Sequence, residues 1–247
     1  MARPRAADHD QKRRAILDRS AKLFADRGYA RTSMSEIASA CGSSKALLYH
    51  YYENKEQLLF DLLEAHFIRL EEAVKSADVS GALPVERLRG LITALLAAYE
   101  GADALHKVQI NELSALPLAR QQELKAYERR LVELFAGVLR DINPALAKGN
   151  RLLKPVTMSL FGMINWSYLW FRPGGPLSRA EYANLVTQMT VDGVSRIGCE
   201  RWARGRSRVG ATSAAAKLRA CPLVLRGRRM TGTSPTAQGY EMATSVR

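Results

Sequence analysis

The chain between residues 44 and 50 carries a group of hydrogen-bond donors suited to contacts with phosphates and base edges. They are Ser44, Lys45, Tyr49 and His50, which supply hydroxyl, ammonium, phenol and imidazole groups. With Leu47 and Leu48 on the apolar side of a helix, residues 44, 45, 49 and 50 remain available for an outward face. Side chains of these types contact the backbone and the bases of nucleic acids. The alternative is an ordinary solvated face, because a single lysine is more often solvated.

Two short helices that meet at a glycine must position these side chains. Ser33 and Glu36 have the spacing of a capping box, which predicts the start of a helix. Gly42 permits a sharp turn, and Ser43 or Ser44 can cap the next helix. A helix, a tight turn and a second helix form a helix-turn-helix, which offers its second helix to the DNA major groove.

Flanking helices are expected to complete a small domain around this motif. An entering helix has an apolar face of Ile16, Leu17, Ser20, Ala21 and Phe24 and ends at Gly28. The second helix is expected to bury Met34, Ile37, Ala38 and Cys41, and Leu47 and Leu48 are expected to hold the third against the core. A fourth helix follows Asn54 and is predicted from Lys55 to about Ser76.

The segment from about Ile16 to Leu63 resembles the N-terminal DNA-binding domain of the TetR family of bacterial repressors. The matching positions are Leu23, Phe24, Arg27, Gly28, Tyr29, Thr32, Ser33, Ile37, Ala38, Gly42, Ser44, Lys45, Leu48, Tyr49, His50, Tyr51, Tyr52, Asn54, Lys55 and Glu56. The resemblance implies a recognition face of Ser44, Lys45, Ala46, Tyr49 and His50, with Thr32, Ser33 and Lys55 holding phosphates. Ala46 stands where the family commonly has glycine, which puts a base contact there in doubt. The resemblance also implies a homodimer that binds a palindromic operator in double-stranded DNA.

The remaining sequence is helical in pattern, with no convincing strand alternation, so the expected fold class is all-α. We expect a helix-turn-helix domain over residues 1–54, a helical effector-binding and dimerisation domain over 55–202, and a basic tail over 203–247. Pro84 is predicted to open a helix, and a long helix is predicted from about Ala119 to Asp141. Ser178 and Glu181 form a second capping box and predict the last helix.

Positive charge is concentrated at the two ends of the chain. The net charge is +13; residues 1–60 carry 11 Lys and Arg against 7 Asp and Glu, residues 61–202 carry 17 against 16, and residues 203–247 carry 9 against 1. A near-neutral centre is typical of a regulatory domain, whereas basic ends indicate contact with a polyanion. The tail composition predicts disorder. The tail could add phosphate contacts or have no function, and we favour the second interpretation.

The segment from Pro155 to Phe171 is apolar almost all round, which predicts a buried helix. Its polar interior residues argue against a membrane span. Candidate ligand-binding residues in and around it are His106, Phe161, Asn165, Trp166, Trp170 and Arg172, with core or interface packing as the alternative for each. The segment from Phe161 to Leu177 resembles TetR-family regulators of aromatic, steroid and fatty-acid catabolism, whose effectors include acyl-CoA thioesters. An aromatic acid or a drug-type ligand is the alternative effector.

Other functional classes find less support in the sequence. The histidines His9, His50, His66 and His106 are scattered, and no nucleophile–base pattern, phosphate loop or metal signature accompanies them, so no enzyme, cofactor or metal site is expected. An enzyme or a constitutive nucleoid protein remains the alternative class. Three cysteines (Cys41, Cys199 and Cys221) and a polar N-terminus without a signal-peptide pattern indicate a reducing, cytoplasmic setting.

Overall fold

A computed structural model describes residues 3–147, 151–172 and 174–197. Helices account for most of them, and no strand is present in these ranges, which confirms the all-α prediction. The helices are α1 Arg3–Arg27, α2 Met34–Ala40, α3 Lys45–Tyr51, α4 Lys55–Ala77, α5 Pro84–Ala98, α6 Asp103–Glu112, α7 Leu118–Ile142, α8 Leu153–Asn165, α9 Ser167–Trp170 and α10 Arg179–Arg196. The predicted tail, residues 203–247, and Cys199 and Cys221 lie outside the described residues.

The helix boundaries follow local capping chemistry. The side chains of Ser33, Ser44, Asn54 and Ser178 each accept a hydrogen bond from the first turn of α2, α3, α4 and α10, respectively. Gly28 ends α1 with a φ of +85°, a left-handed conformation that side chains disfavour. Short-range sequence signals therefore determine where most helices start and stop.

Two hydrophobic clusters form the interior, and α4 contributes to both. The N-terminal cluster combines residues of α1–α3 and the first part of α4 with Val108, Leu116 and Leu124 from the later chain. The C-terminal cluster combines Leu70 and Val74 of α4 with residues of α5, α7, α8 and α10. A single helix of 23 residues thus joins the helix-turn-helix to the C-terminal core. Helix α6 also packs against α1.

Three expectations about packing were wrong. Leu48 is fully buried, but Leu47 is 38% exposed, so Leu48 and not Leu47 anchors α3 in the core. Cys41 is only partly buried, and it is the C-cap of α2 rather than a residue within that helix. The apolar segment 155–171 is two helices with a break at Trp166, and Met158, Leu169 and Trp170 are about half exposed.

The break at Trp166 has its cause in a contact with another helix, α6. His106 Nε2 lies 3.0 Å from the carbonyl oxygen of Asn165. The amide of Leu169 instead donates to the Trp166 oxygen at 3.2 Å. A tertiary hydrogen bond thus takes the carbonyl that the α-helical pattern would have used, and the helix divides there.

Candidate functional site

Helix α3 presents the predicted recognition residues to solvent. Ser44, Lys45, Ala46, Tyr49 and His50 are all exposed, while Leu48 on the opposite side is buried. The Ser44 hydroxyl accepts the amide of Leu47 at 3.1 Å and so caps the helix. The Lys45 ammonium lies 5.8 Å from the Tyr49 ring centroid. This face offers cationic, phenolic and imidazole groups on one short helix.

The turn between α2 and α3 requires Gly42. Its φ is +61°, in the left-handed region, and no neighbouring atom lies where a Cβ would project. Backbone conformation rather than lack of space therefore selects glycine here.

A capping box orders the start of α2. The Ser33 amide donates to Glu36 Oε2 at 2.8 Å, and the Glu36 amide donates to the Ser33 hydroxyl oxygen at 3.2 Å. These hydrogen bonds lower the pKa of Glu36 and keep its carboxylate ionised. The Thr32 hydroxyl is buried and donates to the Gly28 carbonyl at 2.9 Å. Both hydroxyls thus support the turn between α1 and α2, and their contact with phosphate stays a prediction.

Lys55, the first residue of α4, is bound to the same turn. Its Nζ lies 2.7 Å from the Tyr29 oxygen, 2.8 Å from the Thr32 oxygen and 3.4 Å from the Ala30 oxygen. It also lies 4.2 Å from the Tyr29 ring centroid. An ammonium has three protons, and all three face these carbonyls. Lys55 therefore fixes α4 to the turn that precedes α2, and its predicted phosphate contact stays untested.

The first turns of α1 also contact the motif. The ring of His9 lies 4.7 Å from that of Tyr51, the last residue of α3. Arg13 forms an ion pair with Asp61 of α4 at 2.6 Å. Sequence reasoning missed both contacts, because residues before Ile16 have no apolar periodicity that would predict a helix.

Comparison with known proteins identifies this architecture. Residues 16–62 match the family described as bacterial regulatory proteins, tetR family, and residues 81–194 match the tetracyclin repressor-like C-terminal domain. A TetR-family transcriptional regulator from Bordetella parapertussis 12822 superposes with a TM-score of 0.69 and 34% identity, covering 73% of this chain and 94% of that one. The chain belongs to the TetR family.

Two further relatives of this TetR-family chain carry functional names. The transcriptional repressor KstR2 of Mycobacterium tuberculosis is 27% identical over 199 residues, which span 78% of this chain and 98% of the relative. AibR, solved in complex with isovaleryl coenzyme A and operator DNA, is 32% identical with a TM-score of 0.63, covering 72% of this chain and 97% of that one. This chain is accordingly a DNA-binding transcription regulator, and its α2–α3 unit is the helix-turn-helix.

The structure brings two of the six predicted ligand residues of this TetR-family protein together. His106 is 1% exposed, and its Nε2 contacts the Asn165 backbone oxygen. The Asn165 side-chain oxygen accepts the Tyr99 hydroxyl at 2.7 Å. Burial lowers the pKa of His106 and raises that of Tyr99, so both groups are neutral near pH 7.

The other four predicted ligand residues lie elsewhere. Phe161 packs edge-to-face against Phe135 in the C-terminal cluster, with ring centroids 5.0 Å apart. Trp166 and Trp170 are 55% and 49% exposed. Arg172 is exposed, with a 3.4 Å contact to the Leu169 oxygen. None of these four side chains takes part in the hydrogen bonds that join His106, Asn165 and Tyr99.

The hollows of the helical domain have other linings. One of about 300 Å³ is lined by Gln109, Ile110, Leu113, Ser114, Gln121, Lys125, Glu128 and Asn165, between α6 and α7. Another of about 430 Å³ is lined by Arg14, Leu17, Asp18, Leu62, Ala65, His66, Arg69 and Leu105, between α1, α4 and α6.

No helix in the part of the chain that the structure describes is long and apolar enough to cross a membrane.

Sequence reasoning missed His66 and Gln109 as members of this region. His66 is 2% exposed on α4, and its pKa is lowered to about 3 by burial, by the neighbouring Arg69 cation and, to a smaller extent, by the His106 ring. A clue was available, since Leu62, Leu63, His66 and Phe67 fall on one helical stripe. A histidine on an apolar stripe is more often a buried core residue than an exposed one.

Proposed function

We propose that the chain is a homodimeric repressor that leaves a palindromic operator when a small hydrophobic effector binds its helical domain. The outward face of α3 supports base contact by Lys45, Tyr49 and His50, with Ser44 and Ala46 at the start of the helix. The repressor KstR2 supports the direction of regulation. Such a protein acts where the chromosome lies, so we place it in the cytoplasm.

Dimerisation is proposed through α8, α9 and α10. Large apolar side chains on these helices are about half exposed: Met158, Trp166, Leu169, Trp170, Leu185 and Met189. An open hollow of about 330 Å³ between α8 and α10 is lined by apolar groups including Met163 and Met189. Contiguous exposed apolar surface of this kind marks interaction sites. A two-fold dimer sets the two recognition helices about one DNA turn, ~34 Å, apart.

The effector is proposed to act through α4 and α6. Helix α4 begins at the Lys55 contact with the α1–α2 turn, and near its end Glu71 binds Arg130 of α7 at 2.7 and 3.0 Å. Helix α6 packs against α1 and places Val108 in the N-terminal cluster. A ligand that separates α6 from α4 therefore displaces the helix-turn-helix. For release, the effector must bind the dimer whose recognition helices are too far apart or too close for DNA more tightly than it binds the DNA-bound form. The difference in binding free energy must be a few kcal/mol, by the population-shift relation for a two-state equilibrium.

An acyl-CoA thioester is the preferred effector. AibR, whose complex contains isovaleryl coenzyme A and operator DNA, is the relative that supports this class. An aromatic acid or a drug-type ligand is the alternative and would need no phosphate partners.

Operator release separates these effectors. The full-length dimer on its operator is titrated with isovaleryl-CoA, with free isovaleric acid and with coenzyme A, and the bound fraction is read by gel shift. Release by the thioester alone supports the acyl-CoA proposal, whereas release by the free acid favours the alternative. If none of these compounds alters the gel shift or the melting temperature, the acyl-CoA class is wrong.

A further inference from the structure

The hollow between α1, α4 and α6 has charged side chains at its rim and apolar side chains on its floor. Its volume of about 430 Å³ lies within the size range of small-molecule sites. Leu17 and Leu62 line it and are buried, so they form the floor. Arg14, Asp18 and Arg69 line it and are exposed, so they form the rim. The hollow therefore combines apolar surface with charge, which is the composition of a site for an amphipathic ligand.

The charged groups of the rim keep unused hydrogen-bonding capacity. Arg14 and Asp18 are one helical turn apart on α1, yet within the described ranges neither forms a hydrogen bond or an ion pair. Arg69 uses only its Nη2, which lies 3.2 Å from the Ala98 oxygen and 3.5 Å from His66 Nδ1. Its Nε and Nη1 protons have no acceptor in those ranges. Two guanidinium groups on neighbouring helices thus have donors available to one ligand.

The charge of the rim defines the group that fits it. Arg14 and Arg69 contribute two positive charges and Asp18 one negative charge, so the rim has a net charge of +1 and favours a singly charged anion. Guanidinium groups bind carboxylate and phosphate oxygens through paired N–H donors. The apolar floor requires this oxyanion to be joined to a hydrocarbon chain. A free acid supplies the oxyanion as its carboxylate, and an acyl-CoA supplies it as one phosphate of its pyrophosphate.

We propose that this hollow binds the oxyanion of the effector between Arg14 and Arg69. The apolar chain of the effector covers the floor, which Leu17, Leu62 and Leu105 form. This inference rests on the proposed function, because it names the charged group and the binding site of that effector. Helix α1 packs against α2 of the helix-turn-helix as well as against α4 and α6. An effector in the hollow therefore contacts the DNA-binding domain directly and shifts α1 against α4.

The test compares charged ligands with matched neutral ones. Full-length protein with ¹³C-labelled leucine methyl groups is titrated with octanoate and octanol, and with octanoyl-CoA and S-octanoyl-pantetheine, which lacks the phosphates. Dissociation constants and methyl shifts are measured. We expect one charged ligand to shift the Leu17 and Leu105 signals and to bind about tenfold more tightly than its neutral partner, the lower end for hydrogen bonds to charged groups. Octanoate in that role identifies the carboxylate source, and octanoyl-CoA identifies the phosphate source.

Charge variants at the rim distinguish this site from a purely apolar one. Arg14→Met should weaken binding of the charged ligand by about fivefold and leave binding of its neutral partner unchanged. Asp18→Asn removes the opposing charge and should strengthen binding by about two- to fivefold, a gain that a merely structural role of Asp18 does not produce. The control is Arg129→Met, which removes the same charge as Arg14→Met from an exposed position on α7 and should bind like the parent.

Each outcome decides one claim. If charged and neutral ligands bind equally, or if Arg14→Met binds like Arg129→Met, the inference is wrong. Operator release by the same ligands is measured in parallel by gel shift. Charge-dependent binding without release supports the site and refutes these compounds as effectors. Release that Arg14→Met and Asp18→Asn leave unchanged overturns the site but supports the ligand-released repressor. If the melting temperature shows that Arg14→Met does not fold, the presence or absence of the gain in Asp18→Asn decides the inference.

Discussion

Replacement of Lys55 by methionine removes a cation that three backbone carbonyls share. The side-chain length is kept, but the contacts of Nζ at 2.7, 2.8 and 3.4 Å and the approach to the Tyr29 ring at 4.2 Å are lost. Hydrogen bonds to a charged group contribute about 1.5–3 kcal/mol each when buried. Lys55 is only partly buried, so water can replace part of this interaction. We expect the free energy of unfolding to fall by about 2 kcal/mol, using the lower end of that range for the set.

That loss is measurable by calorimetry and urea unfolding. For a domain of this size about 2 kcal/mol corresponds to a decrease in Tm of roughly 4–8 °C. The matched control is Lys22→Met, which removes the same charge from an exposed position on α1 and should leave Tm within about 1 °C, as surface substitutions usually do. Lys55→Arg should recover little stability, because a planar guanidinium does not fit three carbonyls as an ammonium does.

DNA binding distinguishes this role from a phosphate contact. If Lys55 holds a phosphate, Lys55→Met should reduce the slope of log K against log salt by about 0.9 per subunit. If its protons remain on the carbonyls, the variant should bind the operator more weakly with a nearly unchanged slope, because the start of α2 shifts. A variant with the parent Tm and a reduced slope would refute the structural role.

Three further outcomes are expected. Tyr49→Ala should weaken binding to all DNA sequences without changing Tm, because Tyr49 is 44% exposed on α3; equal gel-shift affinity of variant and parent would remove Tyr49 from the interface. Met189→Glu places a charge in the apolar surface of α10 and should convert the dimer into a monomer, as measured by light scattering. The control is Gln122→Glu, which adds the same charge at an exposed position on α7. If Met189→Glu stays dimeric, the interface lies elsewhere. Because the pKa of His66 is lowered to about 3 in the folded state, only the unfolded chain takes up this proton as pH falls below about 6.5, so stability is lost from there down to about pH 3. The free energy of unfolding of His66→Phe, measured with urea, should therefore fall less than that of the parent between pH 7 and 4. If the two free energies fall equally with pH, His66 does not have the lowered pKa.

Local sequence signals determined much of this fold. Ser33 with Glu36 and Ser178 with Glu181 place the starts of α2 and α10, because a capping box satisfies backbone donors within one turn. Gly28 and Gly42 place the turns, because only glycine adopts their φ readily. The outward face of α3 was predictable as well, since helical periodicity assigns Leu48 to the core.

Tertiary structure decided what these side chains contact. The sequence predicts an uninterrupted apolar helix, but in the fold His106 binds the Asn165 carbonyl and breaks that helix. The contacts of Lys55 with the Tyr29 and Thr32 carbonyls have no signal in the sequence, which offers only the predicted phosphate contact. His66 and Gln109 are 43 residues apart in the sequence, and they meet only because α6 packs on α4. Periodicity reports which face of a helix is buried and carries no information on which distant polar atom that face meets, since that depends on how whole helices dock.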